Sequence, residues 1–196
     1  MTDPKLTAKL IDIFLMPGDY FVGDERYRVR TLLGSCVSVT LWHPGLRVGA
    51  MSHFLLPGTR SEHQRRRSSA AHADKPGMYA SDAMDLLLAG LQALGVQPGQ
   101  CQAKIFGGGA MFPRSEKVRD IGLQNGDCAR LLLQKSGIHV VSESLFGEGH
   151  RQLIFTIRSG EVLSRQVPPD PPAAAASARA PAATTARQGR RTGVKA

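Results

Sequence analysis

Aromatic side chains are scarce in this chain, with one Trp, three Tyr and 6% aromatic residues in total. Proteins that bind single-stranded nucleic acid stack bases on aromatic side chains that alternate with basic ones. No such stretch is present, although the net charge is +9. Part of that charge lies near the C-terminus, where 167–196 holds five basic residues against one acid. We therefore expect no nucleic-acid partner.

Long apolar runs and cysteine patterns are also missing. No segment approaches the roughly 18 apolar residues that a membrane-spanning helix needs. The N-terminal segment MTDPKLTAKL lacks the apolar region of a signal peptide. Three cysteines without C-x-x-C spacing and six histidines without ligand spacing predict neither a disulfide framework nor a metal site. We expect a cytoplasmic protein without membrane insertion, metal or other cofactor.

Large apolar side chains are almost absent from 167–196, which is rich in Pro, Ala and Arg. Such a segment cannot bury enough surface to offset its ordering entropy, so disorder is predicted there. Residues 1–166 are predicted to form a single domain with a substantial core. Within it, 58–73 is a polar stretch that predicts a loop.

The domain is predicted to be strand-rich with two principal helices. Alternating apolar residues from Tyr27 to Leu33 predict a half-buried strand. One helix is predicted over Asp82–Leu94 with Ser81 as N-cap, and another from about Gly126 to Lys135 with Asn125 as cap. Further strands are predicted at 11–15, 103–106, 138–141, 153–157 and 161–166. The predicted fold class is α+β, a layered sandwich of mainly antiparallel strands.

Two apolar runs, SCVSVTLW (35–42) and LRVGAMSHFLLP (46–57), flank His43-Pro44-Gly45. If a tight turn centred between Pro44 and Gly45 joins them as strands, Cys36 lies directly opposite His53. Opposed residues of an antiparallel pair share one face, with Cβ atoms roughly 4.5–5.5 Å apart. A thiol and an imidazole at that separation are a candidate nucleophile and base.

Both residues also have an ordinary structural interpretation, because a lone Cys or His in an apolar strand usually packs in the core. Three features favour catalysis. The register brings the two side chains together. Gly34-Ser35 places Cys36 at the entrance of a strand, where its backbone N–H is free to donate. Gly49 clears space on the neighbouring strand.

The segments TLLGSCVSV (31–39) and VGAMSHFLLP (48–57) resemble CheD, the chemoreceptor glutamine deamidase of bacterial chemotaxis. The similarity covers most of 10–166. It continues through DKPGMYASDAMDLLL (74–88), KIFGGGAMF (104–112), IGLQN (121–125) and SGEVLSR (159–165).

This resemblance implies that Cys36 is the nucleophile and His53 its partner. It also implies a Thr shortly before the Cys, but the usual position is occupied by Arg30, and Thr31 lies one residue later. One residue on a strand reverses the face, so we take Thr31 as the third catalytic member and expect a bulge to restore its face. The segment 145–151 also departs from the family's glycine pattern. Candidates for the oxyanion hole or substrate positioning are the Cys36 N–H, Gly34, Ser35 and Ser52.

The implied reaction is hydrolysis of glutamine side-chain amides on the cytoplasmic helical bundle of a chemoreceptor. Two alternatives stay open: a non-catalytic regulatory partner of a CheC-type phosphatase, and a receptor methylesterase that uses the same Cys. The basic residues Arg60 and 65–67 either steer the protein to an acidic bundle or belong to a solvated loop. The run 107–109 is either a turn that needs positive φ or a flexible rim.

Overall fold

The computed structural model describes residues 9–62, 75–111 and 120–168. The two long helices are α1 (Ala80–Ala93) and α2 (Ile121–Lys135), and a 3-10 turn spans Pro98–Gln100. The strands are β1 (Ile11–Leu15), β2 (Tyr20–Gly23), β3 (Tyr27–Leu33), β4 (Val37–His43), β5 (Val48–Ser52), β6 (Gln102–Gly107), β7 (His139–Leu145), β8 (His150–Thr156) and β9 (Glu161–Val167).

These strands form two sheets. The outer sheet has the order β1-β3-β8-β9, and the central sheet has the order β2-β5-β4-β6-β7. The pairs β1/β3 and β6/β7 are parallel, and the other neighbours are antiparallel. No helix within the described residues has the length and apolar character needed to cross a membrane.

Strand β4 separates two cores because its side chains alternate between faces. Val37, Val39 and Leu41 pack with the residues of α1 and α2. Cys36 and Trp42 lie in the other core, which contains the inward residues of the outer sheet. The result is three layers, helices on the central sheet and the outer sheet behind it. This confirms the predicted α+β layered fold.

Both helices begin earlier than predicted. The N-cap of α1 is Tyr79 rather than Ser81. The N-cap of α2 is Asp120, whose carboxylate accepts from the backbone N–H groups of Gly122 and Leu123. The predicted cap Asn125 instead lies inside α2 and is fully buried. Gly122, in the first turn of α2, packs closely against the glycine run 107–109. A Cβ added to Gly122 would lie 2.5 Å from the Gly108 carbonyl oxygen.

The β4–β5 register differs from the prediction by two residues. His43 pairs with Val48, so the turn has four residues, and its last residue, Arg47, adopts a φ of 50°. The bridge between Val37 and Phe54 extends the same register. In it, His53 lies diagonal to Cys36 instead of directly opposite. A shift of two residues keeps both side chains on the same face.

Two predictions lie partly outside the described residues. The predicted loop 58–73 is described only as far as residue 62, which leaves out the basic run 65–67. The predicted disordered tail is described only for 167–168. Its first residue, Val167, is the last residue of β9 and pairs with His150.

Candidate active site

Cys36 lies in the short connection between β3 and β4. Its side chain is half-buried and packs against the core between the two sheets. Backbone bonds hold this connection, since Gly108 N–H donates to the Cys36 carbonyl at 2.8 Å and Gly109 N–H to the Gly34 carbonyl at 2.9 Å. Burial raises the pKa of the Cys36 thiol, and its own backbone N–H only partly offsets this. The resting side chain is therefore a thiol at neutral pH.

His53 follows β5 and has 2% of its surface exposed. Its backbone is held on both sides, because its N–H donates to the Asp19 carbonyl at 3.0 Å and its carbonyl accepts from Gly18 N–H at 2.7 Å. Burial lowers the pKa of His53 to about 4, while the Leu15 carbonyl and the charge of Asp19 act in the opposite direction. The imidazole is therefore neutral at neutral pH.

Thr31 determines which tautomer that neutral ring adopts. Its Oγ1 lies 2.8 Å from the Leu15 carbonyl oxygen and 2.8 Å from His53 Nδ1. A hydroxyl has one proton and a carbonyl can only accept, so Thr31 donates to Leu15 and accepts from Nδ1–H. The proton on Nδ1 leaves Nε2 with its lone pair. Nε2 is buried and has no hydrogen-bond partner among the described residues.

The expectation that Thr31 needs a bulge is wrong. Strand β3 pairs without interruption with β1 and β8 around this residue. Thr31 is 3% exposed and points inward with Val29 and Leu33, whereas Arg30 is exposed. Position 31 is thus the inward position of this strand, and Arg30 could not reach His53 from the outer face.

The structure does not bring Ser52 to this group. Its hydroxyl accepts from Val39 N–H at 3.3 Å, and it lines a small space with Phe54, Ala80 and Met84 on the helix side of the central sheet. Gly34 and Ser35 directly precede Cys36 in the β3–β4 connection, and their role at the oxyanion or the substrate stays a prediction. A Cβ on Gly34 would lie 2.8 Å from Met111 Sδ, so this connection is covered closely.

The glycine run 107–109 packs against the backbone of the segment that carries Cys36. Gly107 and Gly108 have φ values of 116° and 66°, which confirms the predicted positive φ, although Gly107 is the last residue of β6 and not part of a turn. Arg151, 5% exposed, donates to the carbonyls of Gly107 and Phe146. The unusual segment 145–151 therefore packs against this run, with Phe146 itself at a φ of 67°.

Sequence reasoning missed Asn125 as a contributor to the site. Its Nδ2 donates to the carbonyls of Ser35 and Leu55, at 3.0 and 2.7 Å. These residues belong to the two segments that carry Cys36 and His53. Asn is a common N-cap residue, so the sequence favoured a helix that begins after Asn125. A helical apolar pattern counted from Ile121 onward would have placed Asn125 inside the helix.

In chemical terms, the core between the sheets holds a neutral thiol, a neutral imidazole with a free Nε2, and a hydroxyl that orients the ring. No hydrogen bond joins the Cys36 sulfur to His53 Nε2 among the described residues. Side chains of these three types can serve as a nucleophile, a base and an orienting group. The roles depend on residue geometry and not on sequence order.

Comparison with known proteins gives a consistent result. A family model described as "CheD chemotactic sensory transduction" matches residues 55–166. A protein of Albidiferax ferrireducens, named "Probable chemoreceptor glutamine deamidase CheD 2", is 52% identical over 163 residues, which is 82% of this chain and 90% of the relative. "Probable chemoreceptor glutamine deamidase CheD 3" of Dechloromonas aromatica is 40% identical over 156 residues, 79% of this chain and 87% of the relative.

Proposed function

This chain belongs to the CheD family, and on that premise we propose that it hydrolyses glutamine side-chain amides of chemoreceptors to glutamate and ammonia. Cys36 is the nucleophile, His53 the general base and acid, and Thr31 the group that orients His53. The substrate is the cytoplasmic helical bundle of the receptor. The observation that carries this assignment is the position of the Thr31 hydroxyl between the Leu15 carbonyl and His53 Nδ1, from which we infer a proton on Nδ1 and a free Nε2.

In the first half of the reaction, Cys36 Sγ attacks the carboxamide carbon while His53 Nε2 takes the thiol proton. The carbonyl π electrons move to oxygen and form a tetrahedral oxyanion. When that intermediate collapses, the C–N bond breaks and His53 gives its proton to the departing nitrogen, which leaves as ammonia. A thioester remains on Cys36.

In the second half, a water gives a proton to His53 and attacks the thioester carbon. The C–S bond breaks, glutamate leaves, and the Cys36 sulfur recovers the proton from His53. The net reaction consumes one glutamine amide and one water and yields one carboxylic acid and one ammonia. His53 returns to its starting tautomer because Nδ1 keeps its proton throughout and donates it to the Thr31 hydroxyl oxygen.

The pKa directions support proton transfer during the attack over a preformed ion pair. Burial raises the pKa of Cys36 and lowers that of His53, so the uncharged pair is favoured in the free protein. A neutral thiol is a weak nucleophile, and general acid–base catalysis typically contributes about 10²–10⁴-fold. Protonation of the leaving nitrogen depends on the same imidazole.

The product has a physical meaning for the receptor. Conversion of Gln to Glu adds a negative charge to a helix surface and changes its pairing with residues three and four positions away. It also creates a carboxylate that a methyltransferase can esterify. Deamidation would therefore alter both the packing of the bundle and its capacity for later modification.

Mass spectrometry of purified receptor cytoplasmic fragments, with and without this protein, tests the proposal. Specific glutamines should convert to glutamate with the wild-type protein and not with Cys36→Ala. Unchanged glutamines with the wild type would contradict the proposal and favour a regulatory role at a CheC-type phosphatase. Conversion of methyl-esterified glutamates alone would instead indicate a methylesterase. Cys36→Ser is a less clean control because it keeps a weak hydroxyl nucleophile.

A further inference from the structure

Asn125 connects the two segments that carry the reactive side chains. From the interior of α2, its Nδ2 donates to the Ser35 carbonyl at 3.0 Å and to the Leu55 carbonyl at 2.7 Å. Ser35 directly precedes Cys36, and Leu55 lies two residues beyond His53. One side-chain amide thus uses both of its protons to tie the Cys36 connection to the His53 segment.

The bond to Ser35 also sets the direction of the next N–H. The Ser35–Cys36 peptide unit is planar and trans, since the described residues contain no cis peptide bond. Its C=O and N–H therefore point in opposite directions. With the Ser35 carbonyl directed at Asn125, the Cys36 N–H points away from α2.

That N–H is on the same side as the reactive sulfur. Its effect on the thiol is to lower the pKa of Cys36, and it has no backbone acceptor among the described residues. A donor beside the nucleophile with no competing acceptor suits the oxyanion of a tetrahedral intermediate, because such donors act where charge develops.

Asn125 maintains this arrangement although part of its own side chain is unsatisfied. It is fully buried, and its Oδ1 has no hydrogen-bond partner among the described residues. An unpaired buried oxygen is unfavourable, so an apolar side chain would suit this helix position better if packing alone mattered. The two hydrogen bonds that Asn125 donates are what an apolar side chain at this position would lack.

We propose that Asn125 is a positioning residue for the deamidation. By holding the Ser35 carbonyl, it directs the Cys36 N–H toward the developing oxyanion. The proposal rests on the proposed function. An interaction realised only in the transition state raises kcat and leaves KM nearly unchanged. Loss of one direct oxyanion donor typically costs about 10²–10³-fold in kcat. For the indirect effect of Asn125→Ala we expect a loss of about 10–100-fold.

The experiment compares two reactions of Cys36 in the full chain. Deamidation of receptor fragments passes through an oxyanion, whereas alkylation of the thiol by iodoacetamide does not. Peptide mass spectrometry separates Cys36 from Cys101 and Cys128. For Asn125→Ala we expect the kcat loss above, a KM within about twofold, and an alkylation rate within about threefold of the wild type.

Trp42→Phe is the matched control. It removes a partly buried bond of similar length, from Trp42 Nε1 to the Ile157 carbonyl at 2.8 Å. Trp42 lies six residues along β4 from Cys36, about 20 Å at the usual rise of a strand. This variant should lose stability but keep kcat when both proteins are assayed well below their melting temperatures.

Equal losses of deamidation and alkylation in Asn125→Ala would overturn the proposal, as would a kcat equal to that of Trp42→Phe. If Asn125→Ala does not fold, Asn125→Asp serves instead, since it has nearly the same size but cannot donate to both carbonyls. Wild-type protein that alkylates normally but does not deamidate would refute the proposed function. Active wild type with fully active Asn125 variants refutes only the role of Asn125.

Discussion

The hydroxyl of Thr31 lies 2.8 Å from Nδ1 of His53, and this contact decides which nitrogen of a buried, neutral ring carries the proton. Because the same hydroxyl donates to the Leu15 carbonyl, it can only accept from His53. The strand order makes this possible, since β1 and β3 are parallel neighbours and Leu15 pairs with Thr31. The outer sheet thereby fixes the proton of a residue that belongs to the central sheet.

Replacement of Thr31 by Val keeps the shape and removes the acceptor. The proton of His53 is then no longer held on Nδ1, and the competing tautomer blocks Nε2. We expect kcat to fall about 10–100-fold, a fraction of what general acid–base catalysis contributes. Thr31→Ser keeps the hydroxyl and should retain most of the activity. Nitrogen NMR of the His53 ring reports the tautomer directly, and an unchanged Nδ1–H state in Thr31→Val would contradict this account.

His53→Ala should abolish deamidation while the fold survives. The bonds that anchor residue 53 to Gly18 and Asp19 are made by the backbone and remain after substitution. Loss of the base and acid should reduce kcat by about 10²–10⁴-fold. Circular dichroism and thermal melting check the fold, and receptor-fragment mass spectrometry checks the reaction. Comparable deamidation by the variant and the wild type would remove His53 from the mechanism.

The stability of the protein should depend on pH through His53. Its folded pKa of about 4 lies below the ordinary histidine pKa of 6.5, so the unfolded chain binds more protons between these values. The stability that the neutral, buried His53 contributes to the folded state is fully present above pH 6.5 and is lost as the pH falls toward 4. From pH 7 to pH 5 we expect the free energy of unfolding to fall by about 2 kcal/mol from this group.

Urea unfolding at both pH values measures this difference. In His53→Ala the corresponding part of the decrease should disappear, which makes that variant the internal control. Asp19 and Lys75 influence the ring in opposite directions and form an ion pair with each other at 2.8 Å. An equal pH dependence in both proteins would mean that the His53 pKa is not lowered in the folded state.

The sequence was most informative where side-chain alternation determines structure. The pattern from Tyr27 to Leu33 predicted β3, whose inward residues Val29, Thr31 and Leu33 are all buried. Alternation could not reveal turn length, however. Pro44-Gly45 suggests a two-residue turn, whereas Arg47 adopts a left-handed conformation that lengthens it to four residues. The diagonal placement of Cys36 and His53 follows from the pairing that this longer turn connects.

Other features depended on contacts distant in sequence and were not predictable from a local pattern. Strand β2 has only four residues, Tyr20–Gly23, and forms through pairing with β5. Asn125 resembles a helix cap, and only its packing against Ser35 and Leu55 shows that α2 starts before it. The bulge expected at Thr31 came from a family position, which proved a poorer guide than the strand's own alternation.

The pH dependence of Cys36 alkylation tests whether the thiol and imidazole are uncharged at rest. Because burial raises the pKa of this thiol, its rate of reaction with iodoacetamide should keep rising with pH from neutral through pH 8, as the thiolate fraction does. At pH 7 it should react more slowly than a thiol in an unfolded peptide. A plateau of the rate below pH 8 would instead demonstrate a preformed thiolate–imidazolium pair.

Gly107→Ala tests the support behind the nucleophile. The residue has a φ of 116°, and an added Cβ would collide with the Cys36 carbonyl oxygen. Both effects are expected to cost about 1–3 kcal/mol of stability, and displacement of Cys36 should also reduce kcat.

Gly99→Ala is the control, because nothing lies within 4 Å of its added Cβ and its φ is not positive. Chemical denaturation and deamidation assays of both variants measure the two effects. Since Gly108 N–H binds the same carbonyl at 2.8 Å, a Gly107→Ala variant with normal activity would mean that the position of Cys36 does not depend on this glycine run.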